Sequence, residues 1–164
     1  MPTTTTSAQE GYMNGSDELV AIADGAIGHS TSATVTMNSD TKDRAVKPEA
    51  TKGAQSGLWK GKGVTGLSIT IQAEGLRYYK ETENGYEAIA ANWGKGKSVD
   101  VTVFHRGDKE KPYVKGKFVI TSIETQTPAE DDATYTVNLD NDGEPEIYPG
   151  KDEASASTDT ENAS

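Results

Sequence analysis

A group of carboxylates near the end of the chain could form a calcium site. Five lie in or just before the stretch NLDNDGEPEIY (residues 138–148): Asp132, Asp140, Asp142, Glu144 and Glu146. From Asn138 the pattern N-x-D-x-D-G matches the first half of an EF-hand loop, which must end on a bidentate glutamate at position twelve and lie between two helices. The twelfth position here is Pro149, and the preceding residues alternate as a strand does. We therefore interpret the stretch as the turn after a strand, with Gly143 supplying a positive φ, and predict no metal.

The segment ANWGKGKS (residues 91–98) fits the relaxed pattern of a phosphate-binding loop. Phosphate binding requires a strand before the loop and a helix after it, so that the helix N-terminus faces the phosphates. Here helix formers come before the loop and a valine-rich stretch follows it. We interpret the loop as a helix end whose lysines favour the negative end of the helix dipole, and predict no nucleotide binding.

Side chains for catalysis are poorly placed. His29 and His105 each fall in a strand-like stretch, the chain has no cysteine, and no serine follows the nucleophile-elbow pattern. Carboxylates are frequent, but nothing fixes two of them across a cleft, as glycoside hydrolysis requires. We therefore predict that the protein is not an enzyme and needs no cofactor.

The elements that position these residues are mainly strands. Polar and apolar residues alternate, or form short strand-like runs, in four stretches: ELVAIADG, HSTSATVTM, LSITIQAE and SVDVTVFHR. A hairpin at GDKEK joins the last of them to YVKGKFVITSIET. The apolar sides include Ala33, Val35 and Met37, then Leu67, Ile69, Ile71 and Ala73, then Val99, Val101 and Val103. The opposite sides carry Ser68, Thr70, Gln72 and Glu74, then Asp100 and Thr102 together with Phe104. Half-buried strands with one polar side are typical of antiparallel sheets.

One helix interrupts the strands. In GYEAIAANWGKG, Tyr86, Ile89 and Trp93 have the i, i+3, i+7 spacing of one helix side. Asn84 or Gly85 can begin the helix, and Gly94 can cap its end.

A long stretch without regular pattern runs from Asn38 to Gly63. A loop of this length in a compact domain is usually functional. Its large apolar residues lie among lysines, which is typical of a surface that binds a partner. An identical, acidic subunit would complement those lysines in a head-to-tail contact that can repeat along an axis. We predict an interface between subunits formed by Lys52, Leu58, Trp59, Lys60 and Lys62.

Composition bounds the class of protein. The chain has 164 residues, a formal net charge of −10 and no cysteine, which suits one domain in a reducing cytoplasm. An acidic surface repels phosphate, which argues against a protein that binds nucleic acid tightly. It is compatible with a protein past which nucleic acid moves without binding. The first residues do not form a secretory signal, and no apolar stretch is long enough for a membrane span.

Both ends are low in complexity, with MPTTTTSAQEG at the start and the acidic KDEASASTDTENAS at the end. Neither can contribute to a packed core. We predict a flexible N-terminal arm over residues 1–15, a β domain over 16–149 and a disordered acidic tail over 150–164.

The order of these features resembles the tail tube (major tail) proteins of long-tailed, non-contractile phages. An early strand pair, ELVAIADGAIGHSTSATVTM, precedes the long loop, and the strand GLSITIQAEGL follows it. The single helix GYEAIAANW comes next, and AEDDATYTVNLDNDGEPEI is similar to the closing part of that family. The resemblance covers most of the β domain, and the acidic C-terminal tail departs from it.

The resemblance implies a β-sandwich or partial barrel with one flanking helix and a long inter-strand loop. It also implies hexameric rings stacked into a tube in the virion, assembled in the host cytoplasm. The loop would reach the next ring, and the polar strand side named above would line the lumen. Implied partners are further copies of the chain, the tape measure protein, the tail terminator, the distal tail and baseplate proteins, and DNA in transit. The polar strand side and the acidic charge fit such a channel independently.

Two other functions share the strands and the lack of catalytic residues. The first is a surface-exposed β-sandwich that binds carbohydrate or a host protein, against which the missing secretory signal argues. The second is a calcium-dependent accessory domain of an enzyme. Size in solution separates them, because a tube protein forms rings or tubes and the others stay monomeric.

Overall fold

The computed structural model describes residues 11–23, 25–44, 60–79, 85–108 and 110–151. A 3-10 turn at Gly15–Asp17 precedes seven strands and one α-helix in these residues. The strands are β1 (Glu18–Ile22), β2 (Gly25–Ala26), β3 (Ser30–Arg44), β4 (Gly61–Leu76), β5 (Val99–His105), β6 (Val114–Gln126) and β7 (Thr134–Asn141). The helix α1 (Tyr86–Gly94) lies between β4 and β5. The mainly β fold with a flanking helix is confirmed.

All seven strands form one antiparallel sheet in the order β2-β1-β5-β6-β7-β4-β3. The strands at its two edges, β2 and β3, are joined by residues 27–29 alone. Seven flat strands would hold those edges about 29 Å apart, whereas four Cα–Cα steps span at most about 15 Å. The sheet must therefore curl until its edges approach each other. Of the two predicted architectures, one curled sheet corresponds to the partial barrel.

The core lies inside this curl. It consists of apolar side chains that alternate along β1, β5, β6, β7 and β4, and no buried polar or charged residue occurs among the described positions. Ile89 of α1 is fully buried, and Tyr86 packs on Tyr135 of β7 with ring centroids 6.0 Å apart. Helix α1 therefore covers the inner side of the sheet, and the outer side is left to polar residues.

Tyr135 links the connection between the two edge strands to the core. Its ring is buried, and its hydroxyl donates a hydrogen bond of 3.0 Å to the carbonyl of Gly28 in the edge-to-edge connection. Gly75 of β4 lies directly opposite, where an added Cβ would come within 2.7 Å of the tyrosine ring. The site has room for a tyrosine only because its neighbour is a glycine.

Gly75→Ala should therefore destabilise the domain by about 1–3 kcal/mol, the usual cost of overpacking a core. Gly94→Ala is the matched control, since no atom lies within 4 Å of its added Cβ and the residue is helical. That change should leave stability equal or raise it by up to about 1 kcal/mol. Urea denaturation of both variants measures the difference. Equal stability of the two would refute the packing argument.

Two details of the predicted helix differ from the structure. Trp93 was expected on the buried side but is 57% exposed, because the short helix contacts the core through Tyr86 and Ile89 only. Gly94 was expected as the cap but is the last helical residue; Lys95 is the C-cap, and Gly96 carries the positive φ of 65°.

The predicted loop from Asn38 to Gly63 is shorter than expected. Residues up to Arg44 belong to β3, and residues from Gly61 belong to β4. β7 pairs with β4 only over Thr70–Leu76, so residues 37–44 and 61–69 pair only with each other in the described chain. We call this two-stranded extension the ribbon. Over seven steps from Met37 to Arg44 it extends about 23 Å beyond the body of the sheet.

The ribbon explains two further misplaced residues. Met37 and Leu67 were predicted on the apolar, core-facing side of their strands, yet they are 54% and 71% exposed. The alternation is correct, but the core ends at the base of the ribbon. Residues 45–59 between its two strands lie outside the described residues.

Candidate functional site: the polar face, the ribbon and the groove

The outer side of the curled sheet, which we call the polar face, is rich in hydroxyl and amide side chains. Strand register aligns them in rows across β3, β4, β7 and β6. One row is Thr36, Thr70, Asp140 and Val119; the next is Thr34, Gln72, Asn138 and Ser122; a third is Ser32, Glu74, Thr136 and Glu124. The six residues predicted for a polar strand side, Ser68, Thr70, Gln72, Glu74, Asp100 and Thr102, all lie on this face, exposed or half-buried.

Short side chains on the polar face bond to one another across the strands. The Thr70 hydroxyl donates to Asp140 Oδ1 at 3.0 Å and accepts from Asn38 Nδ2 at 3.5 Å. Asn138 Nδ2 donates to the Ser122 hydroxyl at 2.8 Å. Donors that are engaged within the sheet in this way are not directed at a passing ligand.

The charge of the polar face is mainly negative. It carries four carboxylates, Glu74, Asp100, Glu124 and Asp140, against the two lysines Lys115 and Lys117 of β6. Lys115 also lies 3.9 Å from Glu146. Such a surface repels phosphate and gives DNA few cations to bind.

Like Val119, Phe104 is an apolar residue on this side of the sheet. The alternation of β5 places it with Asp100 and Thr102, as predicted, but it is only 7% exposed. It lies outside the main core cluster, near the end of the strand. The polar face is therefore mainly hydrophilic, with an apolar corner at Phe104.

The turn after β7 is built by Asn141. Its Oδ1 accepts the Ile69 amide at 2.9 Å, and its Nδ2 donates to the Gly143 carbonyl at 2.7 Å. Gly143 has a φ of 78°. The interpretation of this stretch as a turn is confirmed. Where β7 ends, the Asn141 side chain accepts the hydrogen bond from β4 that a further strand residue would otherwise accept.

Beyond this turn the chain follows β6 and separates from β4. The Asp142 amide donates to the Lys117 carbonyl at 2.8 Å, and Lys115 and Ile147 exchange two backbone bonds of 2.9 Å. Gly116 permits this path, since a Cβ there would lie 2.8 Å from the Cα of Pro145. The chain therefore continues beside β6 while the ribbon leaves the sheet on the other side.

A groove of about 450 Å³ opens between the ribbon base and this segment. Apolar atoms dominate its walls, which include Met37, Leu67, Ile69, Pro145, Tyr148 and Pro149. Tyr148 is held in place by a hydrogen bond from its hydroxyl to Glu144 Oε1 at 3.0 Å. The sequence analysis did not predict the groove. Pro145, Tyr148 and Pro149, which follow the acidic turn, are the sequence feature that could have indicated it.

Metal and nucleotide sites find no support in the described geometry. No three His, Asp or Glu side chains among the described residues come together as metal ligands. Helix α1 precedes the phosphate-loop look-alike and β5 follows it, which is the reversed order expected from sequence.

We expect neither calcium nor a chelator to change the melting temperature of the wild type or of Asp142→Ala, because Asn141 and Gly143 build the turn without an ion. Differential scanning fluorimetry measures this. A fall in the wild-type melting temperature on chelation would contradict it.

The family model for phage tail tube proteins matches residues 12–147, which is most of the chain. The chain belongs to the phage tail tube protein family. The resemblance inferred from the order of sequence features is confirmed, and this tail tube protein is a structural component of the phage tail.

Solved structures share the fold of this tail tube protein. A chain in the virion of the native gene transfer agent (GTA) particle is 20% identical, with a TM-score of 0.64 over 82% of this chain and 97% of that one. A chain in the tail of the empty GTA particle, with C6 symmetry, gives 0.65 at 20% identity over 83% and 98%. The SPP1 tail tube gives 0.52 at 16% identity over 83% and 81%. No curated protein matches the chain.

Of the five residues predicted for the interface of the tail tube protein, the structure describes two, and both lie at the outer end of the ribbon. Lys60 is exposed just before β4, and Lys62 lies within β4 opposite Asp43. Lys52, Leu58 and Trp59 lie outside the described residues. No described helix is long and apolar enough to span a bilayer.

Proposed function

We propose that six copies of this protein form a ring, that rings stack head to tail into a tube, and that the polar face lines its lumen. The observation that carries the proposal is the polar face itself: a broad, mainly negative sheet surface opposite the core, on which several donors bond within the sheet. DNA can pass such a wall without binding to it, because few cations are available to pair with phosphates. The C6 symmetry of the GTA tail, which has the same fold, supports a sixfold ring.

The ribbon carries the contact between rings in this proposal. A two-stranded extension of about 23 Å is too long to serve the packing of its own domain, and most of its described residues are exposed. Its outer end would bring Lys52, Leu58, Trp59, Lys60 and Lys62 to the neighbouring ring. Head-to-tail contacts of this kind repeat along an axis without closing.

The remaining partners follow from a tube of this kind. We propose that the lumen holds the tape measure protein before DNA passes, and that the two tube ends contact a tail terminator and the distal tail or baseplate proteins. The protein has no catalytic step in this scheme and needs no cofactor.

Negative-stain microscopy of the purified protein tests the proposal. We expect rings and tubes of uniform diameter with sixfold end views, and particles much larger than one chain by light scattering. A protein that stays monomeric over a wide range of concentration and salt, and that binds a carbohydrate or a host surface protein instead, would refute it.

A further inference from the structure

We propose that the groove beside Tyr148 is the receptor for the ribbon end of a second copy in the adjacent ring. Trp59, with Leu58, would enter between Met37, Leu67 and Tyr148. The basic ribbon end would lie over the acidic turn at residues 140–146. This inference rests on the proposed stacking of rings and identifies the surface that receives the ribbon.

The groove has the chemistry of an anchor site. Its walls are mostly apolar, its volume of about 450 Å³ lies in the range that accepts drug-sized ligands, and it is open to solvent on one side. Leu67 in its wall is 71% exposed, so a partner would bury apolar surface that the single chain leaves in water. An aromatic side chain buried in a pocket is the usual anchor of a protein interface.

The chain outside the described residues offers one such anchor. Residues 1–10 contain Met1 as their single large apolar side chain, and residues 152–164 contain none. Residues 45–59 contain Leu58 and Trp59, adjacent in sequence and directly before Lys60 and β4. The sequence therefore places the best anchor at the ribbon end.

The same chain cannot fill its own groove. Gly61 is paired with Arg44 at the outer end of the ribbon, and Leu67 lies six residues further along β4, a distance of about 20 Å. Trp59 is two residues before Gly61, which allows at most about 7 Å of chain. The anchor that enters the groove must come from another copy.

Charge complementarity favours the same pairing. Residues 42–62 contain six of the sixteen basic residues against two acidic ones, in a chain of net charge −10. Residues 140–146 contain four carboxylates and no basic residue. A cationic segment attracted to this rim would be steered towards the groove before the apolar contact forms. This function accounts for the carboxylates of the 138–148 stretch that a turn alone does not use.

Disulfide cross-linking tests the contact directly, because the chain has no cysteine of its own. Lys60→Cys combined with Glu144→Cys should form disulfides in assembled tubes when oxidised, since both positions lie at the proposed contact. On a non-reducing gel we expect a ladder that continues beyond six subunits, because each chain then links to the next ring. A ladder that stops at six would place the contact within one ring and overturn the proposal.

Two control pairs of cysteines test whether the cross-link is specific and whether another segment occupies the groove. Lys60→Cys with Asp131→Cys places the second thiol in the exposed β6–β7 connection and should give no ladder. Met13→Cys with Glu144→Cys asks whether the N-terminal segment occupies the groove. A ladder from that pair, without one from the Lys60–Glu144 pair, would overturn the proposal.

A charge exchange gives an independent readout. Asp142→Lys and Lys60→Glu should each lower the yield of tubes on the order of tenfold, and the double variant should restore it. Asp108→Lys, the same change in the β5–β6 connection, should have no effect. Failure of the double variant to restore assembly would count against the pairing. Absence of tubes from the wild type would instead refute the proposed function, so the two failures are distinguishable.

Discussion

Replacement of residues 45–60 by Asn-Gly should give a folded protein that does not form tubes. Arg44 and Gly61 are register partners at the end of the ribbon, so a two-residue type I′ turn can join them directly. The described core contains no residue of the outer ribbon, from Met37 to Arg44 and from Gly61 to Ser68. We therefore expect native-like circular dichroism and cooperative unfolding, with monomers or single rings by size-exclusion chromatography and microscopy.

Point variants show which part of the deleted segment matters. Trp59→Ala should reproduce the loss of stacking, because an interface anchor of this kind contributes roughly 2 kcal/mol or more and the loss is repeated around each ring. Trp59→Phe keeps an aromatic anchor and should retain most of the tubes. Normal tubes from the deletion variant or from Trp59→Ala would rule out a stacking role for the ribbon.

Periodicity identified the body of the fold well. The alternation at residues 67–73 and 99–103 follows directly from a sheet with one buried side, and Ile71, Ala73 and Val101 are fully buried. The turn at Gly143 was predictable because positive φ strongly favours glycine. These features depend on neighbours in the chain, which is why sequence patterns reveal them.

The ribbon and the groove were harder to predict because they depend on where β7 ends. Pairing between β4 and β7 ends at Thr70, but the alternation of side chains in β3 and β4 continues beyond that point. Met37 and Leu67 therefore have the sequence pattern of core residues, although they are exposed. The groove combines the ribbon base with a segment more than seventy residues later in the chain. Polar residues such as Asp40 and Lys42, which have low strand preference, also made β3 read as loop.

Reversal of charge on the polar face should leave the tube intact and impair the passage of DNA. Gln72→Lys with Glu124→Lys changes the charge by three units per subunit on exposed positions of β4 and β6. Neither side chain belongs to the core, so folding and stacking should be unaffected. A ring of six such subunits presents many cations to the phosphates, and each phosphate contact makes binding stronger and more dependent on salt.

The expected result is therefore retention of DNA in the tube. Phage particles that carry the double variant should eject DNA more slowly and lose infectivity on the order of tenfold or more, and higher salt should partly restore ejection by screening the new lysines. Glu87→Lys with Ala91→Lys adds the same charge on exposed positions of α1, on the opposite side of the sheet, and serves as the control. If the helix variant slows ejection and the sheet variant does not, the lumen lies on the helix side and the orientation proposed here is reversed. Each lysine on a DNA-facing wall must meet phosphate as the genome passes. Normal ejection by both variants would therefore show that lumen charge does not control transit.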